Sequence, residues 1–295
     1  MKMGLYRFKS QEGKHILYDS YQKLLAGWDV AVEEADIPTT WGETHVITAG
    51  SRHRPPLMLF HGVADNSALM WIFNAAELSR HFFVIAVDTL GGPGKSEPNA
   101  GYAKGFEQAA WIHELVNWFG FKRFYVAGVS NGAYLASCYT IAYPEYVEKM
   151  IGMAGGIKPS MLRMARLFLP EALLPASETT TRKLLRKLTA PGSTVFESHP
   201  EIMRHWTYLL RYFNNRSMMV HTYKKFMDPE IALLREKAIF YIGEHDRLSH
   251  YPAAIRTLDH HQVPYVIIPG AGHGLNHEQA ERMNREIIGF LQGEP

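Results

Sequence analysis

The segment that most constrains this chain is Gly128-Val129-Ser130-Asn131-Gly132, because it joins the apolar run Phe124-Tyr125-Val126-Ala127 to a helix-like stretch over 133–143. A strand, a sharp turn and a helix in that order lift one side chain clear of the end of a sheet. Such a turn is tight and strained. Gly128 and Gly132 fit it, since a side chain at either place would collide where strand and helix crowd together. The pentapeptide arises readily by accident, so the rest of the chain has to carry the argument.

Apolar runs with β-branched or aromatic character fall at 44–48, 57–60, 82–87, 124–127, 150–154, 239–242 and 265–268 and read as strands. Helix-length segments such as 68–79 and 105–119 separate them, and this alternation predicts a largely parallel α/β sheet with helices on both faces. The earliest strands, around 30–32 and 44–48, are linked by Pro38 and Gly42 and are expected to pair as an antiparallel hairpin at one edge. Residues 156–227 break the rhythm: helix-like pieces separated by Pro170, Pro175, Pro191, Gly192 and Pro200, with no convincing strand. The expected organisation is a core over 1–155 and 228–295 with a helical cap inserted at 156–227.

At 295 residues the chain suits one core with an insertion. Its 46% hydrophobic and 20% charged content excludes wholesale disorder. No stretch approaches the roughly 18 consecutive apolar residues of a membrane span. Residues 1–18 are broken by Arg7, Lys9, Glu12, Lys14 and His15 and so lack the apolar segment of a secretory signal, which makes a cytoplasmic location the expectation. Cys138 stands alone and is read as a small core residue behind the Ser130 turn. Charge divides along the same boundary. The insertion holds twelve Lys or Arg against four Glu, and the remainder nineteen against twenty-five acidic residues. A solvated helical surface explains this imbalance; a preference for anionic substrates is the alternative.

A serine becomes a nucleophile only when a base takes its proton, a carboxylate holds that base, and backbone N–H groups receive the oxyanion. Downstream of Ser130 the chain offers Gly243-Glu244-His245-Asp246 after the strand ending at Ile242, and Gly270-Ala271-Gly272-His273 after the strand ending at Ile268. Both sit where loops leave the carboxyl ends of strands, the side on which open α/β sheets bind ligands. His273 is the expected base, because it lies in a glycine-rich loop, whereas His260, His261 and His277 fall in helices with solvated or capping roles. Asp246 is preferred to its neighbour Glu244 as lying deeper in the loop. Asp88 belongs to a glycine-rich shaping loop, 88–96. The oxyanion donors should be the N–H groups of Asn131 and Val63, the latter in His61-Gly62-Val63-Ala64-Asp65, where Gly62 turns the chain back and His61 braces the loop.

Taken in order, His61-Gly62, the loop from Asp88 to Ser96, the Gly128 to Gly132 turn, Asp246 and His273 resemble an α/β-hydrolase-fold enzyme with a helical cap, over almost the whole chain. Thr44-His45-Val46-Ile47, leading to Pro55-Pro56-Leu57-Met58-Leu59-Phe60-His61-Gly62, is also similar to the start of bacterial carboxylesterases of the naproxen-esterase type. Asn131 departs from many relatives, which carry an apolar residue or glutamine there, but only its N–H is needed. The resemblance implies hydrolysis of a small-molecule carboxylic ester through an acyl-enzyme on Ser130. Thioester, lactone or C–C hydrolysis, perhydrolysis, or ligand binding without turnover would use the same constellation.

Other classes fit poorly. Gly91-Gly92-Pro93-Gly94-Lys95-Ser96 ends like a phosphate loop, yet Thr89 stands where glycine is required and Pro98 comes too soon for the helix. His245, Asp246 and His250 lack metal-ligand spacing, so no metal, no cofactor and no nucleic acid is expected; a homo-oligomer is left open. Met161, Met164, Met203, Met218 and Met219, with Leu167, Phe168, Trp206 and Phe213, are expected to pack the cap, a few of them lining an apolar pocket.

Overall fold

A computed structural model describes residues 6–155, 157, 160–172 and 174–293. The expected boundary at residue 156 therefore lies outside the described residues. The strands are β1 Val32–Thr39, β2 Gly42–Ala49, β3 Pro56–Phe60, β4 Phe83–Val87, β5 Glu97–Pro98, β6 Phe124–Val129, β7 Val147–Met153, β8 Ala238–Gly243 and β9 Tyr265–Ile268. They form one sheet in the order β1-β2-β4-β3-β6-β7-β8-β9, with β5 added beside β2. From β4 to β9 every pairing is parallel, while β1–β2 and β2–β4 are antiparallel.

The expected edge hairpin is present, but β1 is far longer than the short apolar run suggested. Pro38 and Gly42 lie within the paired strand ends, and the turn itself is Thr40-Trp41. β1 sits at the sheet edge and is mostly exposed, so it needs no apolar pattern. The middle of the sheet behaves oppositely. In β3, Leu57 and Leu59 face one core while Met58 and Phe60 face the other, all fully buried, which is why this strand reads as an unbroken apolar run.

The helices are α1 Gln11–Ala26, α2 Ser67–Met70, α3 Ala75–Ser79, α4 Tyr102–Gly105, α5 Gln108–Phe119, α6 Asn131–Ala142, α7 Met161–Ala172, α8 Glu178–Leu188, α9 Pro200–Tyr212, α10 Asp228–Lys237, α11 Pro252–His261, α12 Leu275–Glu278 and α13 Ala280–Gln292, with a 3₁₀ turn at Asn215–Val220. The helix expected at 68–79 is broken into α2 and α3, and the one expected at 105–119 is continuous but begins three residues later, after the short α4. Between α4 and α5 Phe106 is extended, with φ −69° and ψ 116°. Pro170 does not separate segments; it lies inside the last turn of α7. Pro200 opens α9, where its missing N–H has no intrahelical partner to lose.

The N-terminal segment is the main surprise. Ser10 caps α1 by accepting from Gly13 N–H at 3.0 Å, and Leu17, Tyr21, Leu24 and Leu25 bury one helical face. That helix packs against α9 of the insertion. Just before it, Lys9 N–H donates to Tyr212 O at 2.9 Å and Asn214 N–H donates to Arg7 O at 2.9 Å. The buried Arg7 guanidinium donates to Gly92 O and Gly94 O, at 3.0 and 2.7 Å, so one short strap ties the insertion to the 88–96 loop. No helix among the described residues is long and apolar enough to cross a membrane.

Candidate active site

β6 ends at Val129 and α6 begins at Asn131, which leaves Ser130 alone in the turn at φ 56° and ψ −111°. A non-glycine residue holds such a conformation only when its surroundings over-determine it. Here its N–H donates to Met153 O at 2.8 Å and its carbonyl accepts from Tyr134 N–H at 3.2 Å. A Cβ on Gly128 would run into the Gly132 backbone, and one on Gly132 into the Phe60 carbonyl. Both glycines are therefore dictated by close approach of backbone.

His273 follows β9 and Asp246 follows β8. Nδ1 of His273 lies 3.0 Å from each carboxylate oxygen of Asp246. The Asp246 side chain is fully buried and the imidazole 13% exposed. Asp246 also accepts from the N–H groups of Leu248 and Ser249, at 2.8 and 3.2 Å, and from the Ser249 hydroxyl. Burial opposes its charge, yet the imidazole beside it and these donors together hold its carboxyl below the usual range. Glu244 points elsewhere: its side chain is half exposed and accepts from Gly270 N–H at 2.9 Å.

Ser130 and His273 line the same two cavities, of about 60 and about 300 Å³. Among the described residues no hydrogen bond joins the serine hydroxyl to the imidazole; catalytic contacts of this kind are often loose without substrate. Val63 and Asn131 border the smaller cavity beside them. Asn131 is the first residue of α6, where a helix N–H lacks an intrahelical acceptor. The turn of the 61–65 loop differs from expectation. Its positive φ, 57°, is at Ala64, while Gly62 has an ordinary φ and its open α-carbon faces the Cβ of Ser130.

Two buried groups shape this end of the sheet without facing the cavities. His61 accepts from Thr89 N–H on Nε2 at 2.9 Å and places Nδ1 2.7 Å from Gly62 O, so it braces the loop as a neutral ring, with burial lowering its pKa. Asp88 accepts from the Tyr21 hydroxyl and from the N–H groups of Ser67 and Lys95, at 3.0, 2.9 and 2.7 Å, pinning the glycine-rich loop to α2. Gly91 to Ser96 is thus a shaping loop. Cys138 lies in α6 and is half-buried, its thiol pushed up to about 12 by burial.

The larger cavity is roofed by the insertion, through Met164, Phe168, Leu184, Leu188 and Trp206. Met203, Met218, Leu167 and Phe213 are buried in packing, Met219 is exposed, and the Met161 side chain lies outside the described residues. Among the described residues no Lys or Arg borders either cavity. Among the described residues the basic side chains of this segment include solvent-exposed ion pairs such as Arg182–Glu178 and Arg186–Glu197, which favours the solvated-surface reading of the charge imbalance.

Sequence reasoning missed three residues here. His277 is not solvated: it is 5% exposed, lines the larger cavity and sits 3.1 Å from Leu69 O through Nε2. Glu278 accepts from Gly272 N–H and Ala190 N–H, at 2.8 and 2.7 Å, joining the histidine loop to the segment after α8. Asp65 is 1% exposed and borders the cavity. Residues 275–278 carried no local mark of burial, and Asp65 only its place beside Gly62. Among the described residues no cluster of His, Cys, Asp or Glu is placed to hold a metal ion.

Residues 55–280 match the family described as alpha/beta hydrolase fold. The chain belongs to the α/β-hydrolase family. This hydrolase is 26% identical to carboxylesterase YbfK of Bacillus subtilis, a match covering 97% of each chain. It is 25% identical to a second carboxylesterase of that organism, nap, over 94% of this chain and 92% of the other. The crystal structure of naproxen esterase from Bacillus subtilis superposes with a TM-score of 0.80, at 22% identity, over 96% of this chain and 99% of the other, and so shares the fold.

Proposed function

We propose that this α/β hydrolase is a carboxylesterase that cleaves esters of small, largely apolar molecules through an acyl-enzyme on Ser130. The observation that carries the reading is the strained Ser130 facing the same cavity as an imidazole held by a buried carboxylate. Two full-length relatives named carboxylesterases agree with it.

Ser130 Oγ attacks the ester carbonyl carbon while Nε2 of His273 takes its proton. Nδ1–H of His273 donates to Asp246, which fixes the tautomer and offsets the positive charge that forms on the ring. The tetrahedral oxyanion is received by the N–H groups of Val63 and Asn131, preset donors that need no reorganisation as charge develops. Collapse expels the alcohol, which takes the proton from His273. Water then attacks the acyl-enzyme by the same route and releases the acid.

In this reading residues 156–227 are the cap: the core supplies the chemistry, and Met164, Phe168 and Trp206 of the cap supply the wall against which the ester packs. The test is turnover of p-nitrophenyl esters of graded chain length, with a fluorophosphonate probe mapped to its site of attachment. Labelling of Ser130 with turnover supports the proposal. Labelling without turnover of any ester, thioester or lactone would make the protein a ligand-binding relative of the fold.

A further inference from the structure

The larger cavity is mostly apolar, yet it is bordered by residues whose polar atoms find no partner among the described residues. Asp65 is 1% exposed, and its carboxyl group accepts from the adjoining Asn66 N–H at 2.7 Å. Among the described residues no Lys or Arg borders the cavity to pair with it. On α9, the indole Nε1 of Trp206 is buried with no partner among the described residues. Asn276 donates through Nδ2 to Met70 O at 2.8 Å, while its Oδ1 is buried and likewise unpartnered. All three residues border the cavity that Ser130 and His273 open into. Leaving a buried donor or acceptor unmade costs about 1–3 kcal/mol, so a fold that leaves two such atoms, Trp206 Nε1 and Asn276 Oδ1, beside a buried carboxyl group around one space has groups waiting for a ligand.

We propose that this cavity is a polar subsite that binds esters whose acyl or alcohol part carries a neutral hydroxyl group, with Asp65 and Trp206 as the residues that select for it. The inference rests on the esterase reading for the bond that is cleaved, but not for the binding. Its chemistry follows from what each group can do. The indole N–H only donates, so its partner must accept; Asn276 Oδ1 only accepts, so its partner must donate. A hydroxyl does both. An ammonium could satisfy Asp65 and Asn276 but not Trp206, and a carboxylate could satisfy Trp206 but not Asn276. Burial pushes the Asp65 carboxyl well above the usual carboxylate range, against the opposing Asn66 N–H and with Asp88 adding to the rise, which agrees with a neutral partner.

The test uses the full chain carrying Ser130→Ala, so that binding is read without turnover. The probes are N-methylhexanamide, a series bearing one hydroxyl at successive carbons of the acyl chain, and the same series bearing an amine. At least one hydroxylated probe should bind about tenfold more tightly than the plain amide, a hydrogen bond's worth of affinity. That advantage should collapse to about twofold or less when Trp206→Phe removes the N–H but keeps the ring, and when Asp65→Leu removes the carboxyl. Should Asp65→Leu not fold, Trp206→Phe decides alone. Equal binding of every hydroxylated probe and the plain amide, an advantage that survives in the variants, or an amine bound more tightly than the hydroxyl would each overturn the subsite. Turnover of the matching p-nitrophenyl esters by the unmodified protein is scored separately. If no ester is cleaved while the binding advantage and its loss in the variants persist, the subsite stands and the esterase reading falls.

Discussion

The two ends of the proposed reaction site are built to different tolerances. On the core side, Ser130 sits between glycines whose neighbours are backbone atoms, and Asp246 is locked by donors from three residues. On the side of the insertion, Met164, Phe168 and Trp206 meet the cavity through side chains, and Gly192 between α8 and α9 has nothing within 4 Å of where a Cβ would be. Backbone-to-backbone packing has no soft coordinate, whereas side chains repack at modest cost. On the proposed function the core therefore fixes the reacting atoms, and the segment between β7 and β8 adjusts what lies beside them.

The sharpest test of that division is at the nucleophile. Ser130→Ala should lower kcat by on the order of 10⁴ or more, and adding His273→Ala should cost little further, because the two act as a unit. Losses that multiply would separate them. Asp246→Asn should keep the fold and still lower kcat by about 10³–10⁴, since an amide admits the wrong imidazole tautomer. A larger loss from Glu244→Gln than from Asp246→Asn would assign the acid to Glu244 instead.

The contact between the regions should show intermediate effects. Glu278→Gln leaves either Gly272 N–H or Ala190 N–H facing an amide NH₂, so we expect kcat/KM to fall about tenfold through a displaced His273 loop. Unchanged kinetics would remove Glu278 from that role. Acid should loosen the same contact. Burial lowers His205 to about 3 and His221 and His277 to about 4, and each sits where insertion and core meet: His205 with Asn66 and Ser20, His221 with Leu90 and Gln108, and His277 against Phe196. In the unfolded chain these rings protonate near pH 6.5. Between that value and about 4 the unfolded chain binds more protons, so their contribution to stability is complete above about pH 6.5 and is lost as pH falls. The melting temperature should drop by more than about 5 °C from pH 7 to pH 4.5. A flat melting temperature over that interval would contradict the burial of these neutral rings.

The smallest effect belongs to the insertion alone. Met164→Ala should shift the preferred acyl chain length by a few-fold in KM with little change in kcat on an acetate ester, because each lost methylene contact is worth only about 0.8 kcal/mol. Chain-length profiles that superimpose on the parent protein's would take Met164 out of the pocket.

Much of this molecule is legible in the chain because it depends on neighbours in sequence. The fully buried strand 57–60 and the largely buried 124–127 announce themselves by unbroken apolar runs, and the Ser130 turn by its paired glycines. The loops holding Asp246 and His273 follow strands and are rich in glycine. Elements that depend on distant partners are harder to read. β1 is an exposed edge and so carries no apolar signature; α1 carries a cap and a clear apolar face, but nothing in it names α9 as its partner. Asp65, His277 and Glu278 look like ordinary surface residues until the fold closes over them. What the sequence determined by itself was the order of strands and helices and the residue types at their ends, since those follow from local sterics and burial period. What only the tertiary structure decided was which polar groups lose their water: whether a carboxylate or indole is buried, and whether anything is left to pair with it, depends on residues hundreds of positions away.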